Sequence, residues 1–122
     1  MPGDGINWEI VEQLMELDED DGMYEFTNRI LQDYFTQMEE KMPEIHNLVV
    51  NRRYEDAAHL GHFLKGSSAA IGAECISDIC DKIQHYKEQS EEPQIFLLRE
   101  ISQLKLLYPA IKRKLISKVQ AH

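Results

Sequence analysis

Positive charge is scarce in this chain. Its 122 residues carry 13 Lys and Arg against 22 Asp and Glu, for a formal net charge of −9. Binding a phosphate backbone needs a basic surface, so nucleic acid is excluded as the expected partner. The basic residues that do gather, Lys112, Arg113, Lys114 and Lys118, fall at the end of the last predicted helix, where they favour the negative end of its dipole. Cysteine is scarce as well. Cys75 and Cys80 fall on different faces of one predicted helix, poorly placed to bond each other or share a metal. They read as reduced thiols of an intracellular protein. No apolar run approaches the length of a membrane span, nothing resembles a signal peptide, and no membrane partner is expected. Internal repeats and convincing strand patterns are also missing.

Helical periodicity is what remains. Asn7 is a good N-cap for a short first helix over Trp8 to Leu17. The acidic run Asp18 to Gly22 reads as a solvated connector, because it lacks the spaced ligands of a calcium loop. Asp20 or Asp21 would favour the start of the next helix. That second helix runs from Tyr24 to Val50, with Phe26, Ile30, Tyr34, Met38 and Ile45 at helical spacing, and Pro43 is expected to kink or split it. After the tight connection Asn51-Arg52-Arg53 comes a third helix, Tyr54 to Ile71, closed by Gly72. A fourth spans Glu74 to Glu88 with Ile76, Ile79, Cys80 and Ile83 inward. The last spans Gln94 to Val119 on a stripe of Leu97, Ile101, Leu104, Tyr108, Ile111 and Leu115, with a kink expected at Pro109. Long amphipathic helices joined by short loops predict one all-α domain over residues 1–122: an up-and-down four-helix bundle with a short additional N-terminal helix.

The third helix carries the chemistry. On a helical wheel Ala57, Leu60, Leu64, Ser67, Ser68 and Ile71 form a core stripe of Leu, Ile and small residues. His62 falls roughly opposite that stripe. Lys65 follows it at i+3, Gly66 at i+4 and Ala69 at i+7, with Ala58 at i−4. An ordinary solvent face carries Glu, Lys and Gln; this one carries an imidazole, an ammonium and a clearing. Gly66 costs a helix interior roughly 1 kcal/mol against Ala, which predicts that something approaches His62 closely. Ser67 and Ser68 read as small packing residues whose hydroxyls return to the helix backbone.

The run His62-Phe63-Leu64-Lys65-Gly66-Ser67-Ser68-Ala69-Ala70-Ile71-Gly72 resembles the signature of histidine-containing phosphotransfer (HPt) domains. It is most similar to the fungal phosphorelay intermediates of the osmotic-stress pathway. Ile6-Asn7-Trp8 and Asp18 to Asp21 also look like the fungal form, and the likeness weakens after Glu88. The resemblance implies a phosphoryl carrier. His62 would accept the group, Lys65 would neutralise its oxygens, Gly66 would leave it room, and Gln84 would orient the imidazole by a hydrogen bond. Lys87 lies near the position of a basic residue that the fungal relatives carry late in the fourth helix. The resemblance further implies docking of receiver domains, from a hybrid histidine kinase and from response regulators, on Ile10, Leu14, Ile30, Tyr34 and Phe63. No cofactor of the chain's own is expected; Mg2+ would belong to the receiver, since no acidic cluster surrounds His62. The protein is expected to be a monomer in the cytoplasm, with the nucleus as a second location.

Other readings are weaker. Glu55, His59 and His62 share a helix face, yet bundle metal sites point inward and recruit further helices. Lys65-Gly66-Ser67 lacks the upstream glycine of a phosphate loop. A non-catalytic helical interaction module is the alternative from another class.

Overall fold

Five α-helices form among the described residues, 3–18 and 23–120, of the computed structural model: α1 (Trp8–Glu16), α2 (Glu25–Val50), α3 (Tyr54–Ala70), α4 (Glu74–Gln84) and α5 (Pro93–Gln120). α2 packs on α3 and α5, and α4 packs on the same two, which closes a ring of four. α1 is the additional N-terminal helix, and it rests against α2. No strand occurs among the described residues.

The predicted stripes form the core. Ile76, Ile79, Cys80 and Ile83 of α4 are buried, as are Leu97, Ile101, Leu104, Tyr108, Ile111 and Leu115 of α5. Burial alone pushes the Cys80 thiol up to about 12, so it stays protonated and inert. On α2, Leu31, Phe35 and Val49 join Tyr34, Met38 and Ile45 inside, whereas Phe26, assigned inward by its spacing, is 44% exposed on the first turn. α2 and α5 run unbroken through Pro43 and Pro109, so Pro43 does not split its helix. Each proline removes only one ladder bond, and packing along the full length holds both sides.

The chain between α1 and α2 is tied down by a carboxylate. Asp18 accepts from the backbone N–H groups of Phe26 (2.8 Å) and Thr27 (3.0 Å) and from the Thr27 hydroxyl. It therefore caps α2 from outside the helix, where Tyr24 at the N-cap position is left-handed and its side chain makes no capping bond. The expectation that Asp18 is mere solvated connector is corrected. The expectations for Asp20 and Asp21 lie outside the described residues.

Asn7 caps α1 through its side chain, as its sequence position predicts. Its backbone N–H also donates to Gly72 O at 2.7 Å, and the Cys75 N–H donates to Gly5 O at 3.0 Å. The N-terminal segment is thus fastened to the α3–α4 turn. Gly72 is required there twice over. Its φ is +84°, and a Cβ would sit 2.7 Å from Asn7 O.

α4 is shorter than its pattern suggests. It ends at Gln84, and a 3-10 turn covers Tyr86–Glu88. Tyr86 stays buried because its ring meets Tyr54 and its hydroxyl donates to Glu55.

Candidate functional site

His62 sits at the middle of α3 with an exposed side chain, and it hydrogen-bonds to no other described residue. The buried arc of α3 is wider than the predicted stripe. Ala58 and Gly61 join Ala57, Leu64 and Ser68 inside, while Leu60 and Ser67 are only half-buried. The shift has a cause: α3 is flanked by α4 as well as α2, and its contact with α4 is the most extensive in the bundle. Re-centred on those residues, the wheel puts His62 about 120° from the middle of the buried arc, on the α4 flank.

Gly61 makes that flank possible. A Cβ there would lie 3.0 Å from Ile83 Cγ2, 3.1 Å from Cys80 O and 3.3 Å from Gln84 N. The absent side chain lets α4 approach α3 at the turn that carries His62. Sequence reasoning missed this residue, although the signal was present: Gly61 falls among Ala57, Leu64 and Ser68 on the wheel.

Gly66 is the opposite case. A Cβ added to it would meet nothing within 4 Å. The fold does not use the space, so packing within the described residues does not account for the cost of an interior glycine. Gly66→Ala is therefore expected to stabilise the free protein by up to about 1 kcal/mol. Phosphoryl uptake should slow at the same time. Thermal melting and uptake kinetics check the two halves separately, and unchanged uptake would remove Gly66 from the site.

Lys65 is not a loose cation. Its ammonium donates to Asp81 Oδ1 at 2.9 Å and to Gln84 Oε1 at 3.3 Å, both beside it on α4. Its backbone carbonyl accepts from Ser77 Oγ at 3.1 Å. The Lys65 hydrogen bond holds the Asp81 carboxyl below its usual range against the opposing effect of desolvation, with the Lys65 and His85 charges adding to it. His85 Nδ1 lies 2.9 Å from Asp81 O and 3.2 Å from Asp81 Oδ1. Asp81 was missed in the sequence because pairing across helices has no local pattern. Gln84 lies on the same edge, but its carbonyl oxygen is turned to Lys65 and no bond joins it to His62. Lys87 is on the 3-10 turn, not the fourth helix, and pairs with Glu55. That pair lowers the Glu55 carboxyl through the Lys87 hydrogen bond.

The two serines differ. Ser67 returns its hydroxyl to Phe63 O as expected, whereas buried Ser68 shares a 2.7 Å bond with the Tyr34 hydroxyl. This corrects the placement of Tyr34. It is 5% exposed, its ring packs edge-on against Phe35, and burial pushes its phenol upward, so it belongs to the core and not to a docking surface. Of the other four residues of the expected patch, Phe63 is 48% exposed. Ile10, Leu14 and Ile30 are half-buried, the last two packed against the core. The expectation also left out Leu17, at the C-cap of α1, which is 70% exposed. It adjoins Phe26 through the Asp18 cap.

No helix of the described residues is long and apolar enough to cross a membrane, and none of their His, Cys, Asp and Glu side chains form a group of three or more that could hold a metal.

An exposed imidazole on an all-helical bundle is thus bordered by a tethered lysine and an unfilled glycine. The family model for the Hpt domain matches residues 29–114, well over half of the chain, and the chain belongs to that family. It is similar to multistep phosphorelay regulator 1 of Schizosaccharomyces pombe, 36% identical over 66% of this chain and 27% of that one. It is also similar to the phosphorelay intermediate protein YPD1 of Candida albicans, 33% identical over 66% of this chain and 43% of the relative. The YPD1 protein of Saccharomyces cerevisiae is 33% identical over 75% of this chain and 54% of its own. The chain thus spans between about a quarter and about half the length of these relatives. The crystal structure of yeast Ypd1p superposes with a TM-score of 0.66 at 28% identity, over 88% of this chain and 66% of that one.

Proposed function

We propose that this protein is a phosphorelay intermediate that carries a phosphoryl group on His62 between the aspartates of receiver domains, from a hybrid sensor kinase to a response regulator. The observation that carries the reading is the pairing of exposed His62 with Gly66, whose vacant side-chain space the fold leaves open. The Hpt family match and the phosphorelay names of its relatives support it.

Neutral imidazole suits the task, being nucleophilic near neutral pH. One ring nitrogen directs its lone pair at the phosphorus of an aspartyl phosphate. A P–N bond forms as the P–O bond to the aspartate breaks, and the carboxylate leaves with that electron pair. The proton on the other ring nitrogen is then free to pass to solvent. The second transfer reverses these steps toward another aspartate. Lys65 supplies positive charge to the phosphoryl oxygens, and the opening at Gly66 admits the group and the receiver's loops. Mg2+ is assigned to the receiver. No nucleotide-binding motif accompanies the site, so the chain is not proposed to be a kinase by itself. It acts as a monomer in the cytoplasm and nucleus on this reading.

Receivers are proposed to dock on Phe63, Ile10, Leu14 and Ile30, with Leu17 and Phe26 at the rim. Exposed apolar side chains beside a reactive group favour this. Phe63→Ala should weaken receiver binding by about 1–2 kcal/mol. Its melting temperature should barely change, because the ring is half in solvent already. A large fall in melting temperature with intact affinity would assign Phe63 to the core.

The function as a whole is tested by incubating the protein with a phosphorylated receiver. Acid-labile, base-stable label on this chain is the expected result. Absence of label leaves the non-catalytic interaction module as the reading.

A further inference from the structure

The Lys65–Asp81 pair joins the residue that meets the phosphoryl group to a carboxylate that does not. The Lys65 side chain is 35% exposed and that of Asp81 49%, so the pair is held in a wet environment where such contacts are weak and reversible. A phosphoryl group on His62 would bring about two negative charges to the next turn of the same helix. Two anions then compete for one ammonium, and the more highly charged one wins. Asp81 is not stranded when Lys65 leaves, since His85 Nδ1 remains 3.2 Å from its Oδ1. The backbone of Lys65 stays fixed by Ser77, so the switch needs only the flexible stem to swing.

On the proposed carrier function, we infer that Asp81 is a positioning residue that holds Lys65 in the unloaded protein, yields it to the phosphoryl group on His62, and so limits how firmly that group is held. No covalent bond to Asp81 forms or breaks, and no proton passes through it; only its hydrogen bond from Lys65 is given up. The competition lowers the stability of the loaded form and favours handing the group on.

The test distributes label at equilibrium between an isolated receiver domain, phosphorylated on its aspartate, and the full chain. Wild type, Asp81→Asn, Asp81→Glu, Lys65→Ala and the double variant Lys65→Ala with Asp81→Asn are compared. Asp81→Asn should raise the ratio of phosphohistidine to phosphoaspartate about two- to fivefold, the range open to an exposed pair. Asp81→Glu should restore the wild-type ratio. In the Lys65→Ala background the same Asn substitution should leave the ratio nearly unchanged, because its effect passes through the ammonium. An equal rise in both backgrounds overturns the inference, since Asp81 would then act without Lys65. Normal labelling of His62 with no effect of Asp81→Asn also overturns it, and leaves the carrier function standing. A wild-type protein that takes no label on His62 removes both.

Discussion

Replacing His62 by glutamine is expected to abolish phosphoryl uptake and to leave the fold intact. The side chain is exposed and unbonded, so its loss falls within the roughly 0.5 kcal/mol typical of surface substitutions. Uptake, in contrast, has no substitute histidine to fall back on among the described residues. His46 is bonded to Lys105 at 3.2 Å, and His85 is engaged by Asp81. His59 is exposed on the same face, but its i+4 neighbour is Phe63, where His62 has Gly66. An aromatic ring stands where the phosphoryl group would need room. Phosphorylation with a labelled receiver, followed by peptide mapping in base, reads the result. Label retained in the His62→Gln protein, or found on His59, His46 or His85 of the wild type, would overturn the assignment.

A side chain at Gly61 is expected to loosen the contact of α4 with α3 at the turn that carries His62. Gly66→Ala adds a methyl group to open space; Gly61→Ala adds one against backbone atoms of Cys80 and Gln84. The helix gains the same propensity in both cases, up to about 1 kcal/mol. At Gly61 that gain is opposed by overpacking, which costs about 1–3 kcal/mol. Gly61→Val adds branching and removes the gain, so a net loss of about 2–4 kcal/mol follows. At roughly 4 °C per kcal/mol, the melting temperature should fall by about 8–16 °C. Because α4 must move away, Gln84 and Asp81 leave the Lys65 ammonium as well. Equal melting temperatures for Gly61→Val and wild type would show that α4 yields freely.

The stripes of α4 and α5 were legible because each buries a regular face against two neighbours. The face of α3 was legible only in part. Its buried arc is set by how near α4 comes, and that distance depends on Gly61, a residue without a side chain to mark it. His62, Lys65 and Gly66 could be read because they lie within one turn of one helix. Asp81 could not, because its partner is on another helix. Tyr34 was misplaced for a related reason. An amphipathic tyrosine at helical spacing fits either face, and its interior place is decided by Ser68, far along the chain. The α4 boundary failed because a 3-10 turn preserves apolar spacing for one more residue, Tyr86.

The fastening of α3 against α4 bears on how long a partner stays. His62 stands on a helix that is braced by a close interhelical contact. Docking then orders little, so little entropy is lost on association, and a modest contact area suffices for productive encounter. Affinity can stay low without loss of geometry at the reacting nitrogen. Differences among related complexes lie mostly in the dissociation rate, and a carrier that must meet two receivers in turn is served by short residence on each. Rigidity here favours release as much as it favours reaction.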